Sequence, residues 1–302
     1  MTAQPLRFGL VGTGYWAQVT HAPALARAEG VELTAVWGRN PQAAADLAAK
    51  YQATPYRDIQ AFLAGVDAVS FAVPPDVQAA IATQAARAGK HLLLEKPVAL
   101  AEADADRLVD AVEQAGVASV VFFIHRFQPE VRAWLAEVQA RGAWAGGLSA
   151  WLGSALREAS PFNTPWRQDH GGLWDVGPHM ISLLWASLGP VTSVTADAGL
   201  ADVTHLVLHH QGGATSTTTV TLNAAEAAAS FEVCVWGESG RLAAPRGSAD
   251  RVTALGTALS ELTANARAGL TRHPCDVWFG RDVGRVLVEA QRQIDARHAG
   301  VS

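Results

Sequence analysis

The sequence predicts an α/β fold: a doubly wound parallel sheet in the N-terminal half, followed by an α+β domain built on an open, mainly antiparallel sheet. Three observations carry this expectation. Residues 6–124 alternate short apolar, β-branched runs with alanine-rich stretches of helical period, the pattern of repeated βα units. After Phe127 the rhythm changes, and strands follow one another without helices between them. The chain then closes on one long amphipathic stretch. The expected domains are therefore residues 1–124 and 125–302.

In chain order, residues 6–11, 31–37, 68–73, 91–94 and 117–124 read as strands, nearly continuous in apolar character because helices cover both faces of a parallel sheet. Asn40 followed by Pro41 is an N-cap with proline in the first turn, opening a helix to about Tyr51. Residues 76–88 form another helix, and Gly89 suits the left-handed position just past its end. Beyond Phe127 come a helix near 130–140, a Trp-containing strand near 148–152, a loop, and a helix after Gly172. Residues 192–196, 203–210, 214–222 and 231–236 alternate as antiparallel strands do, with Gln211-Gly212-Gly213 as a tight hairpin connection. Val283, Val286, Leu287, Ala290 and Ile294 then fall on one helical stripe.

Composition bounds the function classes. A chain of 302 residues that is 49% apolar and 17% charged, with net charge −5, is long enough for two cores and opposite in character to a disordered chain. Two cysteines, Cys234 and Cys275, cannot form a disulfide framework or a thiolate zinc cluster, which fits a reducing, cytoplasmic compartment. The longest apolar run, 117–124, is far short of the roughly 20 residues that span a bilayer. No basic and apolar leader precedes the first strand, so no secretion signal is expected. Scattered Lys and Arg leave no basic stripe for a nucleic acid.

Chemistry enters at the first strand, which runs into Gly12-Thr13-Gly14-Tyr15-Trp16-Ala17, a G-x-G-x-x-A loop between a strand and a helix. Gly12 permits the tight turn, Gly14 lets backbone approach a pyrophosphate, and Ala17 allows close helix packing, with free N–H groups facing the anion. This is the pattern of a Rossmann dinucleotide-binding domain. The second strand selects the dinucleotide, because a carboxylate at its end would accept from the ribose hydroxyls and repel a 2′-phosphate. Here it ends in Gly38-Arg39-Asn40, so Arg39 offers a guanidinium fork to a phosphate, and NADP(H) is expected over NAD(H). As a plain alternative, Arg39 is a solvated loop charge.

Glu95-Lys96-Pro97 follows a buried strand, at the carboxyl end where open α/β sheets bind ligands. Lys96 can hydrogen-bond a substrate hydroxyl or polarise a carbonyl there; the bland reading is a Glu95–Lys96 ion pair. Asp175 and His179 stand four apart, which on a helix puts the carboxylate where it can orient the imidazole. Asp175 as a simple N-cap and His179 as a satisfied core histidine stay open. The other histidines lack a pattern that assigns a role, and no metal-ligand spacing stands out.

With these residues in hand, the chain resembles the glucose-fructose oxidoreductase, inositol dehydrogenase and rhizopine-catabolism family, Gfo/Idh/MocA. The resemblance rests on the glycine loop, Val73-Pro74-Pro75, Ala88-Gly89-Lys90-His91 leading to Glu95-Lys96-Pro97, Arg126-Phe127-Gln128-Pro129, Trp166-Arg167, Gly171-Gly172, and Asp175 with Gly177 and His179. The tail, His273-Pro274-Cys275-Asp276 with Phe279-Gly280, resembles the start of the family's helix, here about 276–298, that packs back toward the N-terminal domain.

The resemblance implies NAD(P)-dependent oxidation of a carbinol, or the reverse, on a sugar, polyol or related cyclic compound. Lys96 would hydrogen-bond the reacting oxygen and His179 would be the general acid/base, oriented by Asp175. Pro74, Glu95, Arg126, Trp166 and Arg167 would line the cofactor cleft with Gly12, Thr13, Gly14, Tyr15, Trp16, Gly38 and Arg39. Two positions depart from the family pattern: Gln78 where many relatives have histidine, and Phe123 near where some carry a catalytic tyrosine. A homodimer or homotetramer is expected through the C-terminal sheet, whose Thr-rich strand begins near Thr215. Two other functions fit the same residues: an NAD-dependent glycosidase of the family, and a dinucleotide-sensing regulator without catalysis.

Overall fold

The alternating runs of the N-terminal half become β1 (Leu6–Val11), α1 (Ala22–Arg27), β2 (Val31–Trp37), α2 (Pro41–Lys50), β3 (Thr54–Tyr56), α3 (Ile59–Ala64), β4 (Ala68–Phe71), α4 (Pro75–Arg87), β5 (His91–Leu94), α5 (Glu102–Ala115) and β6 (Ser119–Val121). The structure, a computed structural model, describes residues 4–157 and 160–299. It divides into two compact units, Met1–Phe127 with Ala249–Arg281, and Gln128–Ser248 with Asp282–Ser302.

In the first unit the six strands are all parallel in the order β3-β2-β1-β4-β5-β6, the doubly wound arrangement. Local chemistry sets the helix ends. The Asn40 side chain accepts from the backbone N–H groups of Gln42 and Ala43, with Pro41 in the first turn. Gly89 takes φ +73° just past α4. Two expected strands come out shorter. β4 stops at Phe71 because its partner β1 ends at the paired Val11. The run 117–124 is a strand only through Val121, which pairs with Leu94 at the end of β5, and residues Ile124–Phe127 then tighten into a 3₁₀ turn.

The second unit holds α6 (Pro129–Arg141), β7 (Trp144–Leu152), α7 (Pro165–Asp175), α8 (Gly177–Leu188), β8 (Val191–Ala198), β9 (Thr204–His210), β10 (Thr215–Thr221), β11 (Ser230–Gly237) and β12 (Gly240–Ala243). Its sheet runs β12-β11-β7-β10-β9-β8; every pair is antiparallel except β7 with β10, so the sheet is mixed and mostly antiparallel. α7 and α8 cover one face, α8 lying over β7, β10 and β11, where Met180, Ile181, Leu183 and Leu184 are wholly buried, as is Val220 of β10. On the other face Thr215 and Thr217 stand exposed, with Thr215 opposite the exposed His209 and Thr219 opposite the exposed His205.

α9 (Arg251–Ala268) returns the chain to the first unit. Asp250 caps it by accepting from Val252 and Thr253, and Ala254, Leu255, Ala258, Leu259 and Leu262 form its buried stripe. α10 (Val277–Ala299) follows, and its expected stripe Val283, Val286, Leu287, Ala290 and Ile294 is buried. Within the second unit α10 also reaches the sheet edge. The Gln293 amide accepts from Ala196 N–H at 2.9 Å and donates to Val194 O at 2.9 Å, taking the place of one more strand beside β8.

Candidate active site

The loop after β1 is shaped by what it cannot hold. Gly12 has φ +125°, and a Cβ there would stand 2.3 Å from the carbonyl oxygen of Ala72, so only glycine makes this turn. At Gly14 a Cβ would meet nothing within 4 Å, and the residue is exposed: this is open space at the start of a helix, the end whose dipole attracts an anion. Thr13 packs under Gly38, where a Cβ would come within 2.7 Å of the Thr13 methyl group. The ends of β1 and β2 are thus brought together. Next to them Arg39 is exposed and makes no hydrogen bond or ion pair among the described residues. Pro74 stands half-buried at the N-cap of α4, and the side chain of its neighbour Val73 lies beside Gly12. These turns sit at the carboxyl ends of β1, β2 and β4, where the strand order reverses and open sheets bind nucleotides. An uncrowded Gly14 at the start of a helix and the exposed Arg39 guanidinium suit the phosphates of a dinucleotide.

The end of β5 is wired into that loop. One oxygen of Glu95 accepts from the Trp16 indole at 2.6 Å and faces His21 Nε2 at 3.1 Å; the other accepts from Lys96 N–H at 3.3 Å. His21 is fully buried, and its Nδ1 lies 2.8 Å from the Ser70 hydroxyl. With Nε2–H donating to the carboxylate, Nδ1 accepts from Ser70. Lys96 is half-buried, and the Lys96–Pro97 peptide is cis. Tyr15 is exposed, Arg251 lies 5.7 Å over the Trp16 ring, and Arg126 lies 5.5 Å over Phe279.

In the second unit, the Thr164 hydroxyl caps α7 by accepting from Arg167 N–H. Trp166 stacks on His170 with centroids 5.1 Å apart. Arg167 grips Asp175 with both prongs, Nε to Oδ2 at 2.7 Å and Nη2 to Oδ1 at 3.2 Å. α7 is kinked at Gly171 (φ +60°), and a Cβ on Gly172 would stand 2.8 Å from Thr221 Cα, so these glycines let α7 lie directly on the end of β10. Asp202 staples that contact, its carboxylate accepting from Gly172 N–H at 3.0 Å, from Leu222 N–H at 2.6 Å and from the Thr221 hydroxyl.

Asp175 ends α7, Val176 is the joint and Gly177 opens α8, so Asp175 and His179 flank a helix junction instead of sharing one uninterrupted helix. His179 is 5% exposed, with its ring 5.6 Å from Trp151. Lys96 belongs to the first unit, and Asp175 and His179 to the second. His21, Ser70, Asp202 and Trp151 were not singled out by sequence reasoning. His21 offered one faint signal, a histidine one turn beyond the glycine loop.

Residues 6–123 match the family described as an oxidoreductase family with an NAD-binding Rossmann fold, GFO/IDH/MocA, and residues 146–243 match its C-terminal domain, together more than half of the chain. The chain belongs to the Gfo/Idh/MocA oxidoreductase family. It is 32% identical over 206 residues to D-glucoside 3-dehydrogenase of Escherichia coli, covering 65% of this chain and 58% of that protein. Over 127 residues it is 32% identical to UDP-N-acetylglucosamine 3-dehydrogenase of Acidithiobacillus ferrooxidans, covering 42% and 40% of the two chains. The matches therefore span about half the length of these relatives. Among solved structures, GenD2 from gentamicin A biosynthesis, in complex with NAD, superposes with TM-score 0.85 at 20% identity, over 98% of this chain and 95% of that one, a likeness of fold. Among the described residues no helix of this family member is long and apolar enough to cross a membrane. Cys234 and Cys275 are buried, and neither is in a disulfide among the described residues.

Proposed function

We propose that the protein is an NAD(P)-dependent oxidoreductase that moves a hydride between the nicotinamide and a hydroxyl or keto carbon of a sugar, polyol or related cyclic compound. The observation that carries this is the wiring of the glycine loop to the end of β5: Trp16 and Lys96 N–H meet on one carboxylate, Glu95. A dinucleotide site and a lysine at a strand's carboxyl end are thereby parts of one construction. The names of two relatives support a narrower reading, oxidation at the 3-hydroxyl of a glucose-type ring.

The helix start beside Gly14 would hold the dinucleotide's pyrophosphate and Gly38 with Arg39 its adenosine end, and the bound cofactor would supply the hydride acceptor or donor. Arg39, exposed and without a protein partner among the described residues, supports NADP(H) over NAD(H). Lys96 donates to the reacting oxygen and stabilises the charge that develops there. His179 takes or returns the proton, and Asp175, fixed by Arg167, orients it. Trp166 and Arg126 complete the cofactor-side residues. The reading includes a cytoplasmic location and a homodimer or homotetramer formed through the exposed face of the second sheet.

The test is a coupled screen of UDP-N-acetylglucosamine, methyl glucosides, inositols, polyols and keto-sugars with NAD(H) and NADP(H), using wild type, Lys96→Met, His179→Ala and Arg39→Ala. Lys96→Met and His179→Ala should each lower turnover by about 10² or more with cofactor binding retained. Arg39→Ala should weaken NADP(H) selectively. Activity in both catalytic variants would overturn the assigned roles, and an unchanged cofactor ratio in Arg39→Ala would overturn the NADP(H) preference. Glycoside hydrolysis without net NAD(P)H would favour a glycosidase.

A further inference from the structure

We infer that Gln78 is the positioning residue for Lys96, a latch that holds the β5 loop from the first turn of α4. This rests on the reading of Lys96 as the group that meets the reacting oxygen. Gln78 is 0% exposed, and its backbone N–H closes the first turn of α4 by donating to Pro74 O at 2.9 Å. Its side chain leaves the helix for a loop seventeen residues on. Oε1 accepts from Glu95 N–H at 2.8 Å, while Nε2 donates to Glu95 O at 2.8 Å and to Pro97 O at 3.2 Å, with Val98 O at 3.4 Å. The amide orientation follows from this set, because the flipped side chain would set its oxygen against three carbonyls and its NH₂ against an N–H.

Lys96 therefore sits between two residues whose backbone groups are pinned by one buried amide. A side chain that only filled space would take the Gln78 partner from one donor and three acceptors away from water, and the loop would move to find partners. An amide supplies donor and acceptor at once with no charge, so the latch does not compete with the Glu95 carboxylate or the Lys96 ammonium beside it. Displacements near 1 Å at a reacting group cost about 10²-fold in rate, and this is the scale of control the latch exerts.

The test uses Gln78→Glu, which keeps length and acceptor but faces the carbonyls with an oxygen, and Gln78→His, whose neutral ring restores one donor and one acceptor. Should Gln78→Glu not fold, Gln78→Ala replaces it. The chain has only three lysines, Lys50, Lys90 and Lys96, so competitive acetylation with acetic anhydride and peptide mass spectrometry reads Lys96 against exposed Lys50 without any substrate.

Gln78→Glu should raise the Lys96:Lys50 labelling ratio several-fold. Where UDP-N-acetylglucosamine or a methyl glucoside is turned over, kcat should fall about 10-fold or more with the cofactor KM unchanged. Gln78→His should recover most of both. An unchanged labelling ratio, or losses that merely follow a lower melting temperature and are not rescued by histidine, would overturn the inference. Lys96→Met separates the two claims: if it stays active, the role of Lys96 fails; if it is inactive while Gln78→Glu keeps kcat and labelling, only the latch fails.

Discussion

Replacing Arg167 by methionine removes its two N–H donors to the Asp175 carboxylate while keeping most of the side-chain volume. The carboxylate side chain is 9% exposed and the guanidinium 23%. Removing one partner of a buried pair typically costs about 3–5 kcal/mol, since the remaining charge stays desolvated. Water reaching the partly exposed arginine side places the expectation at the lower end, about 3 kcal/mol. For a unit of this size that is a fall in melting temperature of roughly 6–12 °C. Scanning calorimetry or the fluorescence of Trp166 and Trp174 follows it. Adding Asp175→Asn removes the stranded charge, so the double variant should be more stable than Arg167→Met alone, with a coupling of about 1.5 kcal/mol or more. A single variant that loses less than about 1 kcal/mol, or a double variant no better than the single, would refute the account of a desolvated two-pronged pair.

Further expectations follow from other contacts. Gly172→Ala drives a Cβ to 2.8 Å from Thr221 Cα, a backbone atom, and should destabilise by about 1–3 kcal/mol in thermal unfolding. Gly14→Ala meets nothing within 4 Å, so its melting temperature should hold while dinucleotide affinity drops tenfold or more in a binding titration. Burial holds the His91 and His210 rings below the ordinary value of 6.5, against the opposing pull of Asp67 on His91 and of the Gly189 carbonyl on His210. The unfolded chain takes up these protons first, so stability is full above about pH 6.5 and falls as the pH drops toward the lower folded values. Melting temperatures from pH 8 to 5 should fall less steeply in His91→Asn/His210→Asn; an equal slope would count against it. Gln293→Ala frees the outer ladder of β8 and should raise aggregation seen by light scattering.

The sequence displayed whatever is local and periodic. Asn40-Pro41, the apolar strands and the stripe from Val283 to Ile294 each declare themselves within one or two turns, and they appear where expected. The Gly171-Gly172 pair was visible as a motif, but its reason, the backbone of Thr221 fifty residues away, exists only once β10 lies under α7. The same holds for Asp202, a loop aspartate that becomes a staple, and for His21, which needs Ser70 and Glu95 to give it a role. Gln78 stood out as a departure from a pattern; its four-way contact with the β5 loop lay beyond any spacing rule. α9 carries an apolar stripe that periodicity could have named, and β3 was too short and too exposed to leave a signal.

The Gln293 amide beside β8 has a bearing on how copies of this chain can associate. At one rim of the sheet the ladder is completed by a side chain, and at the other β12 offers only the four residues Gly240–Ala243. Strand addition at a rim is open-ended, since each added copy presents a fresh rim to the next. Face-to-face pairing about a two-fold axis uses up the surface that makes it and stops at a finite particle. By narrowing both rims, the second unit offers little backbone to open-ended strand addition.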